Sequence, residues 1–176
     1  AVDGHHVLRT SQGDAARPLA TRLPLDMMEL LDEVGWPLSS VEAFVVCVGP
    51  GSFTGLRIGI ASMQGLASAA GKPLVGISGL DALARYATQT VPRPRQVVTW
   101  IDAWRGEVYA AHYTDGAAAE APVVEQPSVL LDAWAHAAAQ DAAAAVWIGD
   151  GAGTYRDLIT PRLRSEEHTS ELQSRE

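Results

Sequence analysis

The sequence predicts an α/β fold, and three observations lead to that prediction. Residues 45–70 read as a short β-branched strand, a glycine-rich turn and a long helix. Strand-like runs alternate with helical periodicity on both sides of this segment. The 176 residues, 47% of them hydrophobic, are sufficient to bury a sizeable core. We therefore expect strands packed against helices, with residues 45–70 at the centre.

The first 40 residues predict a hairpin and then an amphipathic helix. An Asp-Gly turn signal lies between two short apolar runs, so residues 1–12 read as two strands joined by a turn. Apolar residues recur every three or four positions over residues 18–34, which is typical of a helix with one buried face. These are Leu23, Met27, Leu30, Leu31 and Val34. A glycine and a proline then end the helix.

The centre of the chain predicts a buried strand that ends at a turn. Residues 45–48 contain no charged side chain, so we expect a strand covered on both faces, with Cys47 as an inert core thiol. The sequence Gly49-Pro50-Gly51 stops this strand. Ser52 or Thr54 can cap the next helix by accepting a hydrogen bond from its first free N–H groups.

The helix after the turn, residues 54–70, carries one apolar stripe. The stripe consists of Leu56, Ile60, Met63, Ala67 and Ala70. Gly55 and Gly59 lie four positions apart, so a neighbouring backbone can approach this side of the helix closely. The segment is consistent both with a packed βα unit and with a contact surface.

The turn itself is a candidate anion site, because a glycine-rich turn before a helix N-terminus favours negative charge. Neither phosphate-binding fingerprint is matched: no Lys follows Gly55, and Thr54 stands where the dinucleotide pattern needs glycine. Arg57 can pair with an anion or lie solvated at the surface. The candidate residues are Gly49, Pro50, Gly51, Ser52, Phe53, Thr54, Gly55 and Arg57.

The second half of the chain repeats the alternation of strands and helices. Strand 74–77 and a helix with Leu80, Leu83, Ala84 and Ala87 precede a Pro- and Arg-rich linker. Further strands are predicted at 97–101, 107–113, 123–124 and 145–149, with helices at 128–144 and 154–163.

Three acidic residues of this half are candidates for chemistry. Asp102 ends a predicted strand and Asp150 follows another, where a carboxylate can hold a metal or accept hydrogen bonds from a loop. Asp102 and Glu107 could form an acid/base pair, but no nucleophile or histidine accompanies them. We therefore assign no catalytic residue and no metal ligand.

Four motifs resemble the bacterial TsaB (YeaZ-type) family. They are GPGSFTGLRIG at 49–59, GISGLDALA at 76–84, IDAWRGEVYAA at 101–111 and IGDGAGTYRDLI at 148–159. The resemblance implies tandem ribonuclease-H-like subdomains of the actin, Hsp70 and sugar-kinase (actin-like ATPase) superfamily, truncated at both ends. We expect a first subdomain at 1–90 that lacks its first strand, a linker at 91–96 and an incomplete second subdomain at 97–164. Residues 165–176 resemble a translated sequencing adapter and are expected to be a non-native tail.

The resemblance also implies a function. Proteins of this family are non-catalytic dimerisation subunits that bind and activate a TsaD-type catalytic subunit in tRNA N6-threonylcarbamoyladenosine (t6A) modification. We thus expect no cofactor on this chain, with ATP and metal on the partner, and a cytoplasmic location. A TsaE-type ATPase and a second copy are further expected partners. The net charge of −8 disfavours direct tRNA binding, and no membrane contact is expected.

The helices at 18–34 and 54–70 match those that form the family's partner interface. The expected interface residues are Leu23, Met27, Leu30, Leu31, Leu56, Ile60, Met63, Gln64 and Ala67. Two alternatives stay open, a nucleotide-binding module and a glycoprotease-like metal-dependent enzyme of the same superfamily.

Overall fold

The computed structural model describes residues 1–14, 16–92, 94–138 and 145–162. The chain divides into two compact units, Ala1–Ser78 and Gly79–Glu176, and both contain sheets and helices. The predicted α/β class is therefore confirmed. The predicted tail at residues 165–176 lies outside the described residues. Within the described part, none of the helices is long and apolar enough to span a membrane.

The first unit begins with the predicted hairpin and helix. Strands β1 (Val2–Asp3) and β2 (His6–Val7) pair antiparallel, and α1 covers Leu19–Glu33. The helix lies within one residue of its predicted bounds at each end. The helix ends at Glu33 and is followed by Gly35, whose φ of +70° suits glycine.

A β–α–β element forms the rest of the first unit. Strands β3 (Phe44–Gly49) and β4 (Leu74–Ser78) are parallel and are connected through α2 (Phe53–Ala70). Helix α2 packs on β3, and α1 packs on α2. The buried core of the unit contains Phe44, Met63 and Ala67, with Met27 and Val46 packed against it.

The central strand β3 is covered on one face only, so the prediction of a strand buried on both faces is wrong. Val45 is 54% exposed, and Cys47 is exposed rather than a core thiol. The register sets these residues beside Val75 and Ile77 of β4, which are exposed too. Side chains alternate between the faces of a strand, and in the described residues only the face toward α2 has a packed layer.

The second unit is built on one mixed sheet. Its elements are α3 (Gly79–Thr90), β5 (Gln96–Asp102), β6 (Val108–Thr114), β7 (Ala117–Ala118), β8 (Val123–Glu125), α4 (Pro127–Ala138), β9 (Val146–Ile148) and α5 (Asp150–Thr154). The strand order is β7-β6-β5-β9, and β8 also pairs with β6. Strand β7 and the short helix α5 were not predicted, whereas the predicted helix at 154–163 corresponds to a helical run over residues 156–162. The predicted extension of α4 to residue 144 lies outside the described residues.

Helices cover both faces of this sheet. On one face, Leu80, Ala84 and Ala87 of α3 pack against Val97, Ala111 and Tyr113. On the other face, Leu130 and Leu131 of α4 pack against a cluster around Trp100, which makes an edge-to-face contact with Trp147 at 5.0 Å. By its packing α3 belongs to the second unit, whereas the predicted boundary lay at residues 91–96. The assignment of subdomains stays a prediction.

Candidate functional site

The glycine-rich turn between β3 and α2 has a backbone that glycine alone accommodates well. Gly49 has a φ of +123°, and the Gly49–Pro50 peptide bond is cis. A Cβ atom at position 49 would lie 3.3 Å from Leu56 Cδ1. The positive φ therefore favours glycine at this position, whereas the contact with the flexible leucine side chain would require only a small shift.

Ser52 caps helix α2. The Gly55 N–H donates to Ser52 Oγ at 3.4 Å, and the Leu56 N–H donates to the Ser52 carbonyl oxygen at 2.8 Å. The helix begins at Phe53, one residue earlier than predicted. Because the serine hydroxyl already accepts from Gly55, this N–H group is not directed at solvent. The anion site at the turn stays a prediction.

An aromatic ring and a cation lie together at the start of α2. Phe53 is 73% exposed, and the guanidinium carbon of Arg57 lies 5.3 Å from the centre of its ring. Arg57 also lines a shallow groove of about 290 Å³ with Thr54, Ile58 and Ala61. Exposed aromatic and arginine side chains of this kind are enriched at protein interfaces.

The nine predicted interface residues fall into two groups. Leu31, Met63 and Ala67 are buried within their own unit. They hold the helices to the core, so a partner cannot contact them without unpacking the unit. The other six are half-buried or exposed, and we call them the α1–α2 surface. They are Leu23, Met27, Leu30, Leu56, Ile60 and Gln64.

Sequence reasoning missed two exposed apolar residues of α1, Leu25 and Met28. They lie off the stripe of three- and four-residue spacing that was used to select candidates. The adjacent pair Met27-Met28 was the available signal, because only one residue of such a pair can face the core.

The two strand-end carboxylates, Asp102 and Asp150, accept backbone hydrogen bonds. Asp150 Oδ1 accepts from the N–H groups of Asp102 at 3.1 Å and Gly151 at 2.8 Å. Asp102 Oδ1 accepts from the Trp104 N–H at 2.8 Å. These bonds join the end of β5 to the start of α5 and to the turn after β5. Of the two roles expected for these carboxylates, they favour acceptance of hydrogen bonds from a loop over metal binding. Across the described part of the chain, no group of three or more His, Cys, Asp or Glu residues could hold a metal ion.

The turn between β5 and β6 has an unusual backbone that the sequence did not reveal. Trp104 and Arg105 have φ values of +55° and +61°, and Gly106 follows at +80°. Turns with two consecutive positive φ angles favour Asn, Asp or Gly. A side chain in this region costs on the order of 1–2 kcal/mol. Trp104 and Arg105 read as an ordinary connection in the sequence, since neither residue type signals such a turn.

A family model described as TsaD: tRNA N6-adenosine threonylcarbamoyltransferase matches residues 12–142 of the chain. Two curated relatives are each named tRNA threonylcarbamoyladenosine biosynthesis protein TsaB. The Escherichia coli protein is 43% identical over 91 residues, which are 52% of this chain and 38% of that protein. The Haemophilus influenzae protein is 39% identical over 102 residues, 57% of this chain and 43% of that protein. The chain thus spans less than half the length of these relatives.

A solved structure from Pseudomonas aeruginosa is similar as well, an uncharacterized protein with similarity to peptidase YEAZ. It has a TM-score of 0.64 and 38% identity, covering 80% of this chain and 64% of that chain. The resemblance predicted from the four motifs is confirmed. Because the family model matches more than half of the sequence, the chain belongs to the TsaD family, within which it is a TsaB/YeaZ-type protein of the actin-like superfamily.

Proposed function

We propose that this chain is a TsaB-type subunit that acts in the biosynthesis of t6A in tRNA. Its role is to bind and activate a TsaD-type catalytic subunit, without carrying out the chemistry itself. The similarity to two proteins named TsaB supports this proposal. So does the match to the family model of the threonylcarbamoyltransferase, because an accessory subunit related to its partner can pack against it through equivalent elements.

The observation that carries the proposal is the apolar character of the outer side of the α1–α2 pair. Helix α2 packs on β3 and α1 packs on α2, yet Leu30 and Ile60 of the α1–α2 surface are only half-buried, and Met28 and Phe53 of the same two helices are exposed. Two adjacent helices that leave apolar side chains outward offer the ridges and grooves that a second pair of helices can fill. We infer that the α1–α2 surface forms a helical bundle with the partner.

The remaining roles follow from this assignment. ATP and metal belong to the catalytic partner, and a TsaE-type ATPase joins the assembly. A second copy of this chain competes for the same surface in the absence of the partner. Contact with tRNA runs through the partner, since a net charge of −8 opposes binding of a polyanion. The two units correspond to tandem ribonuclease-H-like subdomains, and the protein works in the cytoplasm.

The interface is tested by charge substitution in the α1–α2 surface. Isothermal titration of the purified chain with a TsaD-type subunit is expected to show binding, and Ile60→Asp is expected to weaken it at least about tenfold, because a buried unpaired carboxylate costs several kcal/mol. Leu158→Asp is the matched control, since Leu158 is an exposed leucine of the second unit. Met63→Asp is unsuitable because Met63 is 6% exposed and its replacement would unfold the core.

Two results would contradict the proposal. If the unsubstituted chain does not bind the TsaD-type subunit, the proposed partner role is wrong. If Ile60→Asp binds with the same affinity as the unsubstituted chain, the proposed interface is wrong. A parallel titration with ATP and ADP tests the nucleotide-binding alternative, for which saturable binding at the Gly49–Gly55 turn would be required. Loss of that binding in Arg57→Ala would locate the nucleotide there.

A further inference from the structure

An open cavity of about 830 Å³ lies within the second unit, beside helix α3. One side of it is a stripe of α3 whose members recur at helical spacing, namely Asp81, Ala84, Arg85 and Thr88. The rest of the lining comes from residues 94–95, just before β5, and from the β6–β7 hairpin. The volume falls in the range of about 300–1,000 Å³ that is typical of small-molecule sites.

Hydrogen bonds join the segments that surround this cavity. The Tyr113 hydroxyl donates to Asp81 Oδ1 at 2.7 Å, which joins β6 to α3. The Asp115 N–H donates to the Arg95 carbonyl oxygen at 2.8 Å, which joins the β6–β7 turn to the residue before β5. Because these bonds fix the walls, the cavity is preformed, and a ligand loses little free energy to the ordering of its site.

The charged side chains that line the cavity differ in their partners. Asp81 accepts the Tyr113 hydroxyl, and Arg95 Nε lies 3.9 Å from Asp115 Oδ1. Burial, together with the hydrogen bond to Asp81, raises the pKa of Tyr113, so its phenol stays neutral. Among the described residues of the lining, Arg85 is the charged residue whose side chain has no ion pair or hydrogen bond. The group that remains for a ligand is therefore a guanidinium, which binds carboxylates and phosphates best.

The balance of charge in the lining favours a carboxylate over a phosphate. Two arginines and two aspartates line the cavity, so their formal charges cancel. A phosphate dianion would be repelled by Asp81 and Asp115, whereas a carboxylate carries a single charge and matches the fork of one guanidinium. Ala84 is buried and Pro94 is half-buried, so the lining also has an apolar part.

We propose that this cavity binds a small monocarboxylate with an apolar body. The Arg85 guanidinium binds the carboxylate, and the apolar body lies against Ala84 and Pro94. The site uses no residue of the α1–α2 surface, so it goes beyond the proposed function and its test is independent of partner binding.

Titration with para-fluorobenzoate, followed by fluorine NMR of the probe, tests the site. This probe carries a carboxylate on an apolar ring, and para-fluorobenzamide is its neutral counterpart of nearly the same shape. We expect saturable binding of para-fluorobenzoate and at least about tenfold weaker binding of para-fluorobenzamide, because hydrogen bonds to charged groups are the stronger ones. Phenyl phosphate should bind more weakly than para-fluorobenzoate because it brings a second negative charge.

Two variants locate the binding, and a third is the control. Arg85→Gln should weaken the affinity for para-fluorobenzoate at least about tenfold and leave the Tm unchanged, since Arg85 is exposed and unpaired. Ala118→Phe should weaken it as well, because Ala118 is an exposed residue of the lining and a larger side chain there takes up space in the cavity. Arg105→Gln is the matched control with unchanged affinity, since Arg105 is an exposed arginine of the same unit outside the lining.

Several results would overturn the proposal. Absence of saturable para-fluorobenzoate binding by the unsubstituted chain would show that the cavity is not a carboxylate site. Unchanged affinity in Arg85→Gln or in Ala118→Phe would show that the probe binds elsewhere. Equal binding of para-fluorobenzamide would show that the charge is not recognised, and tighter binding of phenyl phosphate would contradict the preference for a carboxylate.

Discussion

Gly149, at the junction of β9 and α5, is a residue whose replacement should strongly destabilise the second unit. Its φ is +111°, and a Cβ atom there would lie 2.0 Å from the carbonyl oxygen of Trp100. That oxygen belongs to the backbone of the buried strand β5, so it cannot rotate away as a flexible side chain would. The Leu83 methyl group, 3.3 Å from the same position, closes the other side.

The expected cost of Gly149→Ala is the sum of two effects. The backbone angle alone is unfavourable for a residue with a side chain by on the order of 1–3 kcal/mol. Relief of the clash requires β9 and α5 to move away from β5, which should raise the total to about 3–5 kcal/mol. Because a domain is stable by only about 5–15 kcal/mol, this is a large share of the folding free energy.

Urea unfolding followed by tryptophan fluorescence measures this cost, since Trp100 and Trp147 contact each other in the core of the unit. With a slope of about 1–3 kcal/mol per molar urea, the midpoint of Gly149→Ala should fall by at least about 1 M. Gly153→Ala is the matched control, because no atom lies within 4 Å of its added methyl group and alanine favours the helix. The urea midpoint of Gly153→Ala should be equal to that of the unsubstituted chain or slightly higher. An unchanged midpoint in Gly149→Ala would show that a side chain at position 149 does not clash with the Trp100 carbonyl oxygen.

Three further predictions concern local features. Ser52→Ala should lower the unfolding free energy by about 1 kcal/mol because the cap of α2 is lost. Ser52→Asp should keep most of this stabilisation because aspartate also caps helices. Equal melting temperatures of the two variants would contradict this prediction. Burial lowers the pKa of His112 despite the nearby Glu120 carboxylate, so the unfolded state binds the proton more tightly and the unfolding free energy should fall as pH drops below about 6.5. His112→Gln should show a shallower decline over that range, and a parallel pH dependence of the two proteins would count against it. On the open face of the β3–β4 sheet, Val45→Thr with Ile77→Thr should reduce the fluorescence of a bound hydrophobic dye without lowering the Tm, and undiminished dye binding would show that the face is covered in solution.

Local patterns predicted the elements well, because each depended on neighbouring residues. The spacing of Leu23, Met27 and Leu31 defined α1 to within a residue, and the Gly-Pro-Gly turn correctly separated β3 from α2. The serine at position 52 was one of two candidate caps, and the structure shows that it forms the cap.

Features that depend on distant parts of the chain could not be predicted in this way. An uncharged β-branched run does not tell whether one face of a strand or both will be covered, and the exposure of Val45 and Cys47 followed from the packing of β3 and β4. The Trp104 N–H donates to Asp102 Oδ1, and the Asp102 N–H donates to Asp150, forty-eight positions away, so this turn includes a contact that its own residues do not reveal. Likewise, a helical stripe cannot separate residues that face the core, such as Met63, from those available to a partner.

The proposed function requires that this chain enables a partner subunit to modify tRNA rather than modifying it alone. Reconstitution of t6A synthesis on a tRNA transcript, with ATP, the TsaE-type ATPase and all other components supplied throughout, tests it by measuring t6A with and without the TsaD-type subunit and with and without this chain. We expect t6A to form efficiently only when both proteins are present, and we expect Ile60→Asp to reduce the amount formed. Formation of t6A by this chain in the absence of the TsaD-type subunit would contradict the proposed function.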